Sequence, residues 1–219
     1  MSTFKINRPV LILSIILVVL LAYFSATYFF PKETLPIYNP SNFNPELVDQ
    51  SLHDKSRSHT TLDFELINQN GETITEETYK DKIYVTDFFF TRCGSICPIM
   101  TDNMAKIQNK FKNEDDVMLL SLSVTPEIDS VFVLRDYANK KGVIDGKWHV
   151  TTGNKKHIYN LARKSYFAVL ESGDGGLQDF IHTTNFILID KKKQIRGIYD
   201  GTDENEIERI IHDINILRN

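Results

Sequence analysis

An α/β sandwich behind a single membrane-spanning helix is the architecture that the sequence predicts. Three observations carry it. Val10 to Phe30 holds no charged side chain, short apolar runs then alternate with segments of helical period, and a closing pair of strands leads into an amphipathic helix. At 219 residues the chain accommodates one ordinary domain plus an appendage.

The apolar run comes first. About 20 residues at 1.5 Å each cover the ~30 Å hydrocarbon layer of a bilayer. Lys5 and Arg8 precede the run. The positive-inside tendency therefore leaves residues 1–8 in the cytoplasm, makes 9–30 the anchor and exports the chain beyond Phe30. A cleaved signal peptide is the rival reading, but the run exceeds the usual length of about 7 to 15 residues and no clear small-x-small site lies after Leu20. A mitochondrial transit peptide is richer in Arg and Ser. The expected location is a bacterial cytoplasmic membrane, single-pass, with the C-terminal domain on the extracytoplasmic side. Residues 31–58 are polar and contain Pro31, Pro36, Pro40 and Pro45, which reads as a spacer. Residues 59–219 show no internal repeat and read as one domain.

Within that domain, Phe64 to Ile67, a turn over Asn68 to Gly71 and Thr73-Ile74 read as an opening hairpin. Ile83 to Phe90 is apolar apart from Thr86 and Asp87, as suits a central strand covered on both faces. Met100, Met104, Ile107 and Phe111 then recur at helical spacing, with Pro98 where a first turn tolerates it. Val117 to Val124 is a second buried strand, and Thr125-Pro126 offers a cap and first position for a helix carrying Ile128, Val131, Leu134 and Tyr137. Trp148 to Thr151 reads as a short strand, His157 to Tyr166 as a helix, and Phe186 to Asp190 as a strand pairing with Gln194 to Tyr199. Thr202 is the expected cap of a last helix with Ile207, Ile210, Ile211 and Ile214 on one face.

Charge excludes one class of function. The net charge of −4 comes from 29 acidic and 25 basic residues with no basic block, so nucleic acid is not a partner.

The chemistry concentrates on two cysteines, Cys93 and Cys97, the only two in the chain, at a strand-to-helix turn. There their α-carbons can come within the ~4.4 to 6.8 Å that a disulfide needs, close enough for both sulfurs to grip one metal ion. Amides at a helix start favour thiolate over thiol. A structural disulfide is the plain alternative, although so short a loop adds little stability.

The stretch Asp87-Phe88-Phe89-Phe90-Thr91-Arg92-Cys93-Gly94-Ser95-Ile96-Cys97-Pro98 resembles the signature of the Sco/SenC copper proteins. Ser123 to Asp129, Trp148 to Gly153, and His182-Thr183-Thr184 with the nearby Phe186 to Asp190 resemble further segments of that family, so the resemblance spans the exported domain. It implies a thioredoxin-like three-layer sandwich, copper held by Cys93, Cys97 and His182, and a role in building the dinuclear copper A centre of cytochrome c oxidase. The implied partners are the copper-bearing subunit of that oxidase and a copper donor or thiol reductant. The donor chemistry agrees: thiolates select Cu(I), imidazole accepts both oxidation states, and one copper per chain can be carried as Cu(I) or Cu(II). Structural zinc normally takes four protein ligands, and no fourth offers itself.

Two other functions fit a reactive dithiol. A thiol-disulfide oxidoreductase acting on an exported or oxidase-subunit partner is one. Against it as a general thioredoxin, three residues separate the cysteines and no proline occurs after Pro126. A peroxidase with Cys97 as its reactive thiol is the other. Asp87 is a candidate proton relay or a structural carboxylate, and Arg92 a candidate electrostatic partner of the thiolates. His53, His59, His149, His157 and His212 lack ligand-like spacing, and Met100 and Met104 lie on the apolar face of their helix, so all are read as packing or surface residues.

Overall fold

The computed structural model describes residues 8–29, 33–40, 59–169, 173, 175–176 and 178–219. The expected cytoplasmic stretch before Arg8 and most of the expected spacer, 41–58 with His53, lie outside the described residues. By contacts the chain divides into two units, Met1–Thr34 and Leu35–Asn219.

The first unit is built on α1, Arg8–Phe29. Its 22 residues at 1.5 Å each span about 33 Å. Its first 18, Arg8–Ser25, have mean hydropathy 2.3, long and apolar enough to cross a membrane.

The second unit is a seven-stranded mixed sheet in the order β2-β1-β5-β4-β3-β6-β7. Its strands are β1 (Glu65–Asn68), β2 (Thr73–Thr75), β3 (Ile83–Phe89), β4 (Val117–Ser123), β5 (Trp148–Thr152), β6 (Asn185–Ile189) and β7 (Ile195–Asp200). β3, β4 and β5 run parallel, while β1/β2 and β6/β7 are antiparallel hairpins at the two ends. Every residue of β3 and β4 is buried, because helices cover both faces. On one face Ile83, Val85 and Phe89 meet Met100, Met104 and Ile107 of α2 (Ile96–Phe111) and Ile207, Ile210 and Ile214 of α5 (Glu204–Arg218). On the other, Tyr84 and Phe88 meet Ile158 and Tyr159 of α4 (Lys155–Asn160) and then Tyr166. The result is the expected thioredoxin-like three-layer sandwich with its opening hairpin.

Helix starts differ from the expectation in three places. α3 runs Val131–Lys141 and is capped by Ser130, whose hydroxyl accepts from Val133 N–H. Thr125 does not cap it: its carbonyl closes a turn with the amides of Ile128 and Asp129, and its hydroxyl donates to the Asp129 carboxylate. α5 is capped by Asp203, because the N–H and hydroxyl of Thr202 are both donated to Asp200 Oδ1. The helix expected from His157 starts at Lys155 behind an Asn154 cap and widens into a π turn over Leu161–Ser165.

A piece of the expected spacer is built into the sandwich. Tyr38 N–H donates to Ile195 O at 2.9 Å, and Arg196 donates from Nε to Pro36 O and from Nη2 to Leu35 O. This strap pairs with the otherwise open edge of β7, the kind of edge that proteins commonly cover.

Candidate functional site

β3 delivers the chain to the dithiol, and one buried carboxylate fixes the turn. Asp129, wholly inaccessible to solvent, accepts from Thr91 N–H at 3.3 Å, Thr91 Oγ1 at 2.5 Å, Ser123 Oγ at 2.5 Å and Thr125 Oγ1 at 3.0 Å. Four donors explain how a carboxylate tolerates burial. They tie the exits of β3 and β4 together. Cys93 N–H then donates to Phe90 O, and α2 begins at Ile96.

The two thiols are unequal. Cys93 is half-buried and Cys97 buried, both free, and Cys97 N–H donates to Cys93 Sγ at 3.4 Å. Partial burial of Cys93 opposes ionisation. The amides of Cys97 and Ser95, with the Cys97 thiol and Ser95 hydroxyl, outweigh it and bring Cys93 down to about 7. Burial pushes Cys97 up to about 12, against a Phe90 backbone hydrogen bond and helped by negative charge on Cys93 and Asp87. Beneath Cys97, the Thr101 hydroxyl donates to the Cys97 carbonyl at 2.7 Å and is bonded to the Tyr137 hydroxyl at 2.6 Å.

Asp87 points to the same face as Phe89 and is buried. It accepts from the Ser121 hydroxyl, which in turn accepts from Trp148 Nε1 at 2.9 Å. Burial raises its carboxyl to about 7, the Ser121 hydrogen bond acting in the opposite direction. Arg92 is exposed and is not among the groups that shift Cys93.

His182 approaches from the other side, on the segment leading into β6. Its exposed ring lies 4.4 Å from that of Phe180, which packs edge-on at 5.3 Å against Phe90 next to β3. Cys93, Cys97 and His182 line one cavity of about 510 Å³. Among the described residues, no group of three His, Cys, Asp or Glu side chains is gathered to hold a metal ion. The fold brings His182 and the dithiol to the lining of the same cavity. Met100 and Met104 are wholly buried in the core. His149 bonds to Asn68, His59 to the Ser165 carbonyl, His157 accepts from Glu65 N–H, and His212 is exposed, none of them in this cavity.

Residue spacing missed the supports of the site. Asp129 lies in a short polar run after β4, a weak signal. Arg163 and Asp179, which anchor the histidine segment, are 16 residues apart with no pattern joining them.

A family model described as SCO1/SenC matches residues 53–218. The chain belongs to the SCO1/SenC family. It is 33% identical over 153 residues to the SCO1 protein homolog of Bacillus subtilis (strain 168), covering 69% of this chain and 79% of that protein. Among solved structures, BsSco, a member of the Sco family of cytochrome c oxidase assembly proteins in which a disulfide switch is identified, matches with TM-score 0.62 and 31% identity over 73% of this chain and 93% of its own. Arabidopsis thaliana ScoI with copper bound matches with TM-score 0.57 and 25% identity over 71% and 98%.

In this SCO1/SenC chain the dithiol suits two kinds of chemistry. A thiolate at Cys93 near neutral pH is a nucleophile toward disulfides. Two cysteine sulfurs and an imidazole lining one cavity are a soft donor set of the kind copper prefers.

Proposed function

We propose that the chain is a membrane-anchored copper chaperone that binds one copper ion through Cys93, Cys97 and His182 and assists assembly of the copper A centre of cytochrome c oxidase. The observation that carries this reading is that the dithiol and His182 line one and the same cavity. Copper bound to Arabidopsis ScoI and the oxidase-assembly role of the Sco family that includes BsSco support it. The copper-bearing oxidase subunit is the recipient, and a copper donor or thiol reductant charges the site. α1 anchors the domain in a bacterial cytoplasmic membrane; Lys5 and Arg8 keep the N-terminus inside and put residues 59–219 on the extracytoplasmic side.

The test is a titration of the full chain in detergent with Cu(I) and with Cu(II), compared with His182→Ala. One copper per chain is expected, with weaker Cu(II) binding in the variant. Unchanged Cu(II) affinity and spectrum in His182→Ala would falsify the three-ligand site.

The inequality of the thiols supports a second reading, thiol-disulfide exchange. The Cys93 thiolate attacks one sulfur of a partner disulfide, the other partner sulfur leaves as a thiolate, and Cys97, after losing its proton, attacks Cys93 to release the partner as a dithiol. The chain is oxidised by two electrons and the partner reduced by two. His182→Ala leaves this reaction unchanged, and its loss in that variant excludes an exchange role independent of the histidine.

A further inference from the structure

His182 sits on a segment clamped at both ends by a single neighbouring stretch. On its N-terminal side, Asp179 makes a two-point ion pair with Arg163: Nη1 donates to Oδ2 at 2.8 Å and Nη2 to Oδ1 at 2.7 Å. Gly175 N–H adds a third donor to Oδ2 at 2.7 Å, and the Asp179 carbonyl accepts from the Tyr159 hydroxyl at 3.2 Å. The Arg163 guanidinium lies over the Tyr159 ring, 5.5 Å from its centre. On the C-terminal side, Thr183 Oγ1 and Asn185 Nδ2 both donate to the Ala168 carbonyl, at 2.8 and 3.0 Å.

Arg163 and Ala168 thus hold the two flanks of the histidine. They belong to the π turn Leu161–Ser165 and the residues after it, where Phe167 adopts φ 49°. Wide turns and left-handed non-glycine residues are costly and collect at functional sites.

An exposed ion pair contributes little. This one is forked, and its side chains are 13% and 10% accessible, the geometry in which a charge-assisted pair is strong and directional. Hydrogen bonding to Arg163 accordingly holds the Asp179 carboxyl below its usual range. The strength is placed three residues from an imidazole that is itself exposed and, among the described residues, held by an edge-on contact with the Phe180 ring. A ligand on an otherwise free loop gives up ordering entropy when metal binds, and a preformed clamp removes part of that cost.

We propose that Arg163 and Asp179 are positioning residues for His182: their ion pair sets where the imidazole stands in the cavity it shares with the dithiol, and its loss weakens Cu(II) binding through His182. This rests on the three-ligand copper site.

A double-mutant cycle on the full chain in detergent tests it, with Cu(II) affinity measured by competition against a chelator. The proteins are wild type, Asp179→Asn, His182→Ala and the double variant. Supports of metal ligands typically matter by about 10- to 100-fold, and a loss in that range is expected for Asp179→Asn. In the His182→Ala background, Asp179→Asn should change the affinity by no more than about twofold. The alkylation rate of Cys93 should match wild type in both backgrounds, which a general loss of folding would not allow. If Asp179→Asn does not fold, Arg163→Lys, which keeps the charge and loses the fork, takes its place under the same criteria. Wild-type affinity in Asp179→Asn, or an equal loss with and without His182, overturns the positioning role alone. Wild-type affinity in His182→Ala overturns the three-ligand site and the positioning role with it.

Discussion

Replacing Asp87 with Asn should abolish a pH dependence of folding stability that the wild-type protein carries. The carboxyl ionises near 3.9 in an unfolded chain and near 7 when buried beneath the dithiol. Its folded pKa is raised, so between about pH 4 and pH 7 the native state holds a proton that the unfolded state has released. Stability therefore falls as pH rises through that window and levels off above it. About three pH units at 1.36 kcal/mol each give a loss on the order of 4 kcal/mol. Asn resembles the protonated acid and can still accept from Ser121, so Asp87→Asn should match wild type near pH 4 to within a constant offset and be more stable at pH 8. Urea unfolding of the full chain in detergent from pH 4.5 to 8, tracked by the fluorescence of Trp148, the single tryptophan, measures the difference. Trp148 donates to Ser121 and so reports from inside this network. Parallel stability curves for the two proteins, whatever the offset between them, would mean that Asp87 does not hold a proton through this window.

The other expectations concern the site itself. Without copper, iodoacetamide labelling read by mass spectrometry should find Cys93 titrating near 7 and Cys97 unreactive through pH 9; a shared midpoint near 8.5 rules out the inequality. Asp129→Ala strands the Thr91 amide and three hydroxyls and should destabilise the domain by about 2 to 4 kcal/mol, whereas a change under about 0.5 kcal/mol in urea unfolding would show that the four hydrogen bonds are unimportant. Gly173→Ala should weaken Cu(II) binding as Asp179→Asn does, because a methyl group there meets the Asp179 carboxylate and the Arg163 guanidinium; unchanged affinity by chelator competition contradicts the close approach. Finally, Cu(I) binding at pH 7 should release about one and a half protons from the two thiols, read by calorimetry in buffers of different ionisation enthalpy, and a count near two would mean that Cys93 is an ordinary thiol.

Elements whose burial is set by their own pattern were legible from the residues. β3 and β4 are predominantly apolar runs because helices cover both faces, and α2 and α5 each show an apolar stripe because one side faces the sheet. The features that escaped were decided by distant partners. Thr125-Pro126 has good capping chemistry, yet Asp129, recruited by Thr91 38 residues earlier, draws the Thr125 hydroxyl away and α3 starts later. The strap over β7 reads as a proline-rich spacer because its pairing depends on Arg196, 160 residues beyond Pro36. The π turn over Leu161–Ser165 was not read from the residues, and Arg163 within it finds its partner Asp179 16 residues later.

The site divides in the same way. The dithiol was legible because its geometry is local: four residues of turn at a helix start fix both sulfurs. His182 was singled out only through family resemblance, because a loop histidine acquires its meaning from the groups around it, and the fold places it in the lining of the dithiol's cavity. The two thiols then place a constraint on any function assigned to them. With Cys93 near 7 and Cys97 near 12, the site at neutral pH offers one ready thiolate and one protonated reserve. For disulfide exchange that inequality helps, since the half-buried thiolate attacks first and the buried thiol resolves afterwards. For copper it is a hurdle, because the second thiolate forms only as the ion's own charge displaces the proton from Cys97. Burial makes most of that hurdle and ionised Asp87 adds to it, so the network Trp148–Ser121–Asp87 contributes to how readily the reserve thiol joins in. One carboxylate six residues ahead of the motif therefore bears on both chemistries in opposite directions: when ionised it widens the inequality that favours exchange and raises the hurdle to copper.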